Sequence, residues 1–374
     1  MAYRPVTVRI LHPEPGPTTG PIGRWVVAAR GALAEHHRVA FREAGAADVA
    51  ILRGPPDDTP FGARLRDILV GERPAGLVIL GSGAIPLATS RDYRDLVTAA
   101  ATDDRVALAN NRYSADVVAI ACATSLPEVP DLPGDNALPR WLDEVAGVRV
   151  RDLRSRWRLS VDVDGPLELL LLGHRGQPEG VDLTAIHARL AAVQAVAANR
   201  RAELIVTGRV SVGTLGWLER GVPARVRAIV EERGLRAATR LAQAGGAAGA
   251  GSGTGDAGRP PGSLLGILLD GAGPEALGSL LARLGEAAVV DSRVLLAHRL
   301  GPDERDWPGP EDRHASDLLL PDRVRDPWLR ALTVSALQAP VPILLGGHSL
   351  VGPGIRLVAG RAARPAAQAT HAWR

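Results

Sequence analysis

The chain has 374 residues, 46% of them apolar and only 3% aromatic, so it can bury large cores built on Leu, Val, Ile and Ala. Its formal charge is +3, and the single cysteine, Cys122 in an apolar run, excludes an intrachain disulfide framework. All 44 basic residues are Arg, which excludes a Schiff-base lysine, a pyridoxal phosphate anchor and a P-loop lysine.

The arginines are interspersed with Asp and Glu, with no basic arm and no aromatic-plus-Arg stripe, so nucleic acid is not an expected partner. The start shows no signal-peptide core, and no run of about 18 apolar residues exists to span a bilayer. The expectation is a soluble cytoplasmic protein that does not engage membrane.

In chain order, Val6–Leu11 predicts a strand, Pro13–Gly23 a turn-rich loop, and Trp25–Glu43 a helix stopped at Gly45. Val49–Leu52 predicts a strand, Phe61–Val70 a helix, Gly76–Leu80 a buried strand and Ser90–Ala101 a helix. Val106–Ala109, Val117–Ala123 and Leu159–Val163 predict further strands. Strands alternating with helices argue for a mostly parallel sheet with helices on both faces. The second half repeats the style. Helices are expected at Leu183–Ala198, Val212–Glu219, Pro223–Arg233, Pro274–Leu284 and Val324–Leu337. Strands are expected at Glu203–Val206, Leu264–Leu269, Val289–His298 and Val341–Leu345. The fold class is therefore α/β in two domains, 1–175 and 180–360, with a boundary near Gly173–Gly180. A Gly- and Ala-rich flexible insert over 243–263 and a disordered tail over 361–374 complete the reading.

The densest chemistry lies in Val161-Asp162-Val163-Asp164-Gly165-Pro166-Leu167-Glu168-Leu169. In extended backbone Asp162 and Asp164 share one side, where a divalent cation would neutralise them. Gly165 then turns the chain, Pro166 suits a first helical position and Glu168 sits near a positive helix end. A plain strand-to-helix junction with a solvated Asp pair accounts for the same residues.

Other candidate groups follow strand ends, where open α/β sheets place their ligand crevice. Gly16, Gly20, Gly23 and Arg24 can cradle a phosphate at the start of a helix, although three prolines remove donors from that loop. Gly81 and Ser82 allow close approach to backbone. Asn110, Asn111 and Asp116 lie in a polar cluster suited to a nucleoside or to a turn. Asn136 and Arg140 suit a phosphorylated acceptor, with helix capping the competing role for Asp135 or Asn136.

The element order and two of these segments resemble the glycosyltransferase-A-type nucleotidyltransferases, in particular the molybdenum-cofactor and phospholactate guanylyltransferases. That family carries an Asp-x-Asp-Thr-Pro-x-Asp-Leu run, matched by Asp162–Leu169. It also carries an apolar strand ending Leu-Gly-Asp-x-Pro whose Asp holds Mg²⁺, matched by Val78–Pro86 with Ser82 at the Asp position. The family's opening basic loop, with its Lys, has no good match near Pro13–Arg24. Over about residues 5–175 the resemblance implies a Mg²⁺-dependent transfer of a nucleotidyl group to a phosphorylated small molecule. Asp162 and Asp164 would then hold the metal and Arg24 the phosphates, with Asn110 and Asn111 at the nucleoside and Arg140 at the acceptor. The alternatives are a nucleotide-binding protein on the same fold that does not turn its ligand over, and a metal hydrolase in the second half. The hydrolase would draw on Asp291, His298, His314, Asp317 and His348. Gly347-His348-Ser349-Leu350-Val351 is not a nucleophile elbow, and the order of the chain leaves the oligomeric state open.

Overall fold

In a computed structural model that describes residues 4–55, 57, 59–231 and 262–360, the apolar runs of the first half line up as a six-stranded sheet. Its strands are β1 (Val6–Pro13), β2 (Asp48–Gly54), β3 (Gly76–Gly81), β4 (Val106–Ala109), β5 (Val117–Ile120) and β6 (Arg149–Asp152), in the spatial order β2-β1-β3-β5-β4-β6. The pairings β1·β2, β1·β3 and β4·β6 are parallel, and β5 runs antiparallel to both β3 and β4.

The period-two alternation of β3 separates two cores. Val78 and Leu80 pack with Phe41 of helix α1 (Pro21–Glu43) and Leu96 of α3 (Ser90–Ala100) on one face. Leu77 and Ile79 pack with Leu65 of α2 (Phe61–Glu72) and Trp141 of α4 (Leu138–Glu144) on the other. Each fully buried Leu or Ile of this kind stabilises the fold by about 2 kcal/mol. Helices on both faces follow directly from strands that are apolar on both faces. Proline at the first turn opens α1, and Thr89 with Asp92 closes a reciprocal capping box on α3.

The chain divides into two compact units. The first runs to Asp164 and includes His174–Pro178; the second holds Gly165–Gly173 and the chain from Glu179. Composition had pointed to Gly173–Gly180 for this division. In the second unit β7 (Glu203–Gly208), β8 (Arg225–Val230), β9 (Ala287–Asp291) and β10 (Ile343–Gly346) form an all-parallel sheet in the order β10-β9-β7-β8. Helix α5 (Pro166–Leu172) and α6 (Thr184–Ala197) belong to it.

Four expected elements change type. Leu264–Leu269 is a helix over Leu264–Ala272, because Ser263 caps it through the Gly266 N–H at 3.0 Å and Glu231 accepts from the Leu264 N–H at 2.6 Å. Short apolar runs do not distinguish strand from helix by period. The helix expected over Pro223–Arg233 is β8, whose Arg-Val-Arg-Ala-Ile-Val alternation finds a ladder along β7. The strand-like Val289–His298 stops at Asp291, whose side chain starts the helix Ser292–Leu300 by accepting from the Arg293 N–H. Leu159–Val163 is a 3₁₀ turn, Trp157–Ser160, followed by extended chain outside the sheet, and the sixth strand is Arg149–Asp152 instead. The expected insert over 243–263, apart from Gly262 and Ser263, and the expected tail over 361–374 lie outside the described residues.

Among the described residues no single helix is long and apolar enough to cross a membrane, and the apolar pair Leu264–Ala272 and Pro274–Ala282 is bent by 114° at its break.

Candidate active site

The first unit has a topological switch point. After β1 the chain moves outward to β2, then crosses to β3 on the other side of β1, so the loops after β1 and β3 diverge and leave a crevice at their C-terminal ends. Gly81 closes β3 there, and its N–H donates to the Asp116 carbonyl at 3.3 Å. Because β5 is antiparallel, its first residues, next to Asp116, lie at this same edge.

Beside the crevice is a recess of about 10 Å³, room for one water or ion, lined by Phe61, Leu80, Gly81, Ala115, Asp116 and Asp135. Asn110 builds it. Its side chain is fully buried, its Nδ2 donates to Asp116 Oδ2 at 2.7 Å and to the Leu159 carbonyl at 2.8 Å, and its Oδ1 accepts from the Asp116 N–H at 3.0 Å. Burial, then the neighbouring charge of Asp135, pushes the Asp116 carboxyl up to about 8, with Asp164 adding to the rise. Burial and the charge of Asp164 push Asp135 up to about 6. Burial and neighbouring negative charge thus both raise the Asp116 and Asp135 carboxyls.

Asp162 and Asp164 follow a 3₁₀ turn rather than ending a strand. Val161 and Val163 are buried, Asp162 is half-buried and Asp164 exposed, so the aspartates point away from the core. The segment is tied down at Val163, whose N–H donates to the Gly83 carbonyl at 2.9 Å and whose carbonyl accepts from Arg30 Nε at 2.6 Å. The Arg30 guanidinium also lies 3.8 Å from Asp164. Within the second unit, Glu168 reaches back to the Gly165 N–H at 2.9 Å, with Pro166 at the first helical position of α5.

The remaining candidates are placed as follows. Gly16 accepts from Thr19 in a turn, Gly20 is the N-cap of α1, Gly23 is buried in its first turn, and exposed Arg24 donates to the Thr19 carbonyl at 2.6 Å. Ser82 does not face the recess. It is 2% exposed and shares a 3.0 Å hydrogen bond with His12 Nδ1 inside the fold. Asn111 accepts from the Tyr113 N–H, Asn136 accepts from Ser114 Oγ at 3.0 Å, and Arg140 is half-buried on α4. Asp135 lines the recess beside Asp116 instead of capping a helix, and Arg30 is a further charged residue near this edge. Neither carries a local signal, since both act through contacts made across the sheet edge.

In the second unit the expected metal ligands are tied to other partners. Asp291 accepts from Arg209 Nε at 2.6 Å and Nη2 at 3.1 Å, and Asp317 pairs with both Nη atoms of Arg293. His298 bonds Asp270 at 2.9 Å and the Ser263 N–H at 3.2 Å, and His348 Nδ1 meets the Arg209 carbonyl at 3.0 Å. His314 is half-buried near Gly165. Among the described residues no three His, Cys, Asp or Glu side chains converge as a ligand set.

A raised carboxyl in the folded state sets the sign of a pH effect. Asp116 stabilises the fold below its unfolded pKa, and that contribution is lost as pH rises towards about 8. Metal-free protein is therefore expected to lose on the order of 2 kcal/mol between pH 5 and 9, a figure discounted because Asp116 is only half-buried. Asp116→Asn, which still accepts from Asn110, is expected to flatten that slope in urea denaturation. An unchanged slope would remove Asp116 as its source.

The chain matches no protein-family model and no curated protein sequence.

Proposed function

We propose that the first unit is a nucleotidyltransferase-like domain that binds a nucleotide or sugar-phosphate with Mg²⁺ at the crevice after β1 and β3. The observation that carries this reading is the Asp116–Asp135 pair, two half-buried carboxyls lining one recess at the switch point, both raised chiefly by burial. Mg²⁺ takes one or two carboxylates together with waters and substrate phosphates, so two carboxyls beside the crevice are donors of the right kind. Bound there, it would offset phosphate charge.

The chain's own residues would divide the rest. Arg30, fixed through Val163 and close to Asp164, holds positive charge near the acidic edge. Arg24, exposed at the first turn of α1, is free to meet phosphate oxygens on exchanging its bond to Thr19. Asn110 holds the Asp116 carboxylate in place rather than reading a base, because its amide is committed on all sides. Transfer of the nucleotidyl group to a phosphorylated acceptor is the concrete form of the proposal.

A second reading, binding without turnover, rests on Ser82. At the position where the resembled family carries a metal-binding Asp, this chain has a hydroxyl turned inward to His12.

The test is calorimetry of the four ribonucleoside triphosphates with and without Mg²⁺, on the wild type and on Asp116→Asn and Asp135→Asn. A Mg²⁺-dependent affinity that falls about tenfold or more in both variants is expected, since each loses a charge-assisted contact to the ion. Affinity equal in all three proteins would refute the site. Turnover assays with the nucleotide found then separate transfer from binding alone.

A further inference from the structure

The second unit's sheet ends on an open edge. β8 is its last strand, and among the described residues nothing pairs with the side turned away from β7. The other edge strand, β10, has every residue buried, whereas Arg225, Arg227, Ala228 and Val230 of β8 are exposed, Val230 over 51% of its surface.

The ladder fixes which groups face outward. The Arg225 N–H donates to the Ala202 carbonyl and the Glu231 N–H to the Gly208 carbonyl, both at 2.9 Å. With a period of two, Arg227 and Ile229 also face β7, so Val226, Ala228 and Val230 turn both N–H and C=O to the open side. Proteins blunt such edges with proline, a bulge or an outward charge. β8 carries no proline, and its register with β7 is unbroken from Glu203↔Arg225 to Gly208↔Val230. Its mid-strand charge is folded back over its own sheet, since Arg227 Nε donates to the Leu284 carbonyl at 3.2 Å and Nη2 lies 2.8 Å from Glu203.

A second copy of the same strand fits this edge. Placed antiparallel about a two-fold axis at Ala228, it sets Ala228 opposite its own counterpart and Val226 opposite Val230, each pair exchanging both backbone bonds. On the other face Arg225 comes directly opposite Glu231 at both ends of the pairing. Arg225 is exposed and makes no ion pair among the described residues. The Glu231 carboxylate is held in place by the Ser263 hydroxyl at 2.8 Å and the Leu264 N–H at 2.6 Å, and its remaining lone pairs can accept a guanidinium. The neighbouring registers leave Val226 or Val230 without a partner in β8, so the register that pairs every outward group is also one that joins opposite charges.

We propose that the protein is a homodimer in which the β8 strands of two copies pair antiparallel, joining their four-stranded sheets into one continuous sheet.

Sedimentation equilibrium of the full chain is expected to show a dimer at about 100 µM, because strand addition buries less than a standard interface and gives micromolar affinity. Ala228→Pro removes an outward donor without touching the ladder to β7, and Arg225→Glu sets like charges opposite each other. Each is expected to weaken dimerisation about tenfold or more, with far-UV circular dichroism unchanged. Ala228→Cys is expected to cross-link into a dimer under mild oxidation, because the two residues face each other at the axis, whereas Val226→Cys alone is not. The native Cys122 is buried and does not interfere. A monomeric wild type, the result if residues 232–261 of the same chain cover the edge, would overturn the proposal. So would a dimer that keeps wild-type affinity in both Ala228→Pro and Arg225→Glu, or one that Ala228→Cys fails to cross-link.

Discussion

Replacing Arg293 with Met is expected to destabilise the protein by about 3–5 kcal/mol, the largest effect of any single change considered. Arg293 is 12% exposed at its side chain and Asp317 3%, and their two bonds include one of 2.7 Å. Burial alone would lower the Arg293 pKa, but Asp317, with Glu168 and Asp291, raises it, so the guanidinium stays charged. Removing it leaves the buried Asp317 carboxylate without its hydrogen-bonded partner, with only the charge of Arg313 still favouring its ionised form. Removing both charges, in Arg293→Met with Asp317→Leu, is expected to recover most of the loss, since an apolar pair of similar volume needs no desolvation offset. Urea denaturation of the two variants checks this. A single variant within 1 kcal/mol of wild type would show that the pair does not hold the C-terminal edge of the second sheet together.

The second large effect is expected on acidification. His37 is fully buried on α1, and its Nε2–H donates to the Ala84 carbonyl at 2.9 Å, so its Nδ1 accepts from the Tyr93 hydroxyl at 2.8 Å. Both nitrogens are therefore satisfied in the neutral ring, which burial favours. Burial, then the nearby His36, lowers its pKa to about 3. A lowered histidine pKa means that the folded state binds fewer protons than the unfolded. Its contribution is complete above about 6.5 and is lost as pH falls towards 3, on the order of 4 kcal/mol over that window. His37→Leu is expected to cost about 2–3 kcal/mol at pH 7, through the two partners it strands, yet to lose less than wild type between pH 6 and 4. A parallel acid profile in wild type and variant would move the acid sensitivity to other groups.

Neither effect has a cause that is visible along the chain. His37 stands on an apolar helix face, and its partners Tyr93 and Ala84 come from distant turns of sequence. Arg293 and Asp317 are 24 residues apart, and nothing near either marks the other. The same holds at the candidate site. The glycine and proline that turn Asp164 into α5, and the Glu168 that caps it, were readable because a turn and a cap are local. Asp116 and Asp135, 19 positions apart by their numbers, meet only because β5 reverses direction and returns its first residues to the edge where β3 ends. Ser82 shows the opposite error. Its position after Gly81 reads as crevice-facing, but the hydrogen bond to His12 turns it inward.

By itself the order of residues determined the α/β class, most of the strand and helix alternation of the first unit, and the turn and cap that lead Asp164 into α5. These depend on periods of 2 and 3.6 residues and on turn chemistry, which act over a few neighbours. It also determined that no lysine takes part in any reaction here. Only the tertiary structure decided that Leu264–Ala272 is helix and Arg225–Val230 strand, since short apolar or Arg-spaced runs satisfy either period until a cap or a neighbouring ladder selects one. It alone decided which carboxyls are crowded into a cation-sized recess and which are neutralised by arginines, because desolvation and charge proximity are properties of the packed chain and not of spacing along it.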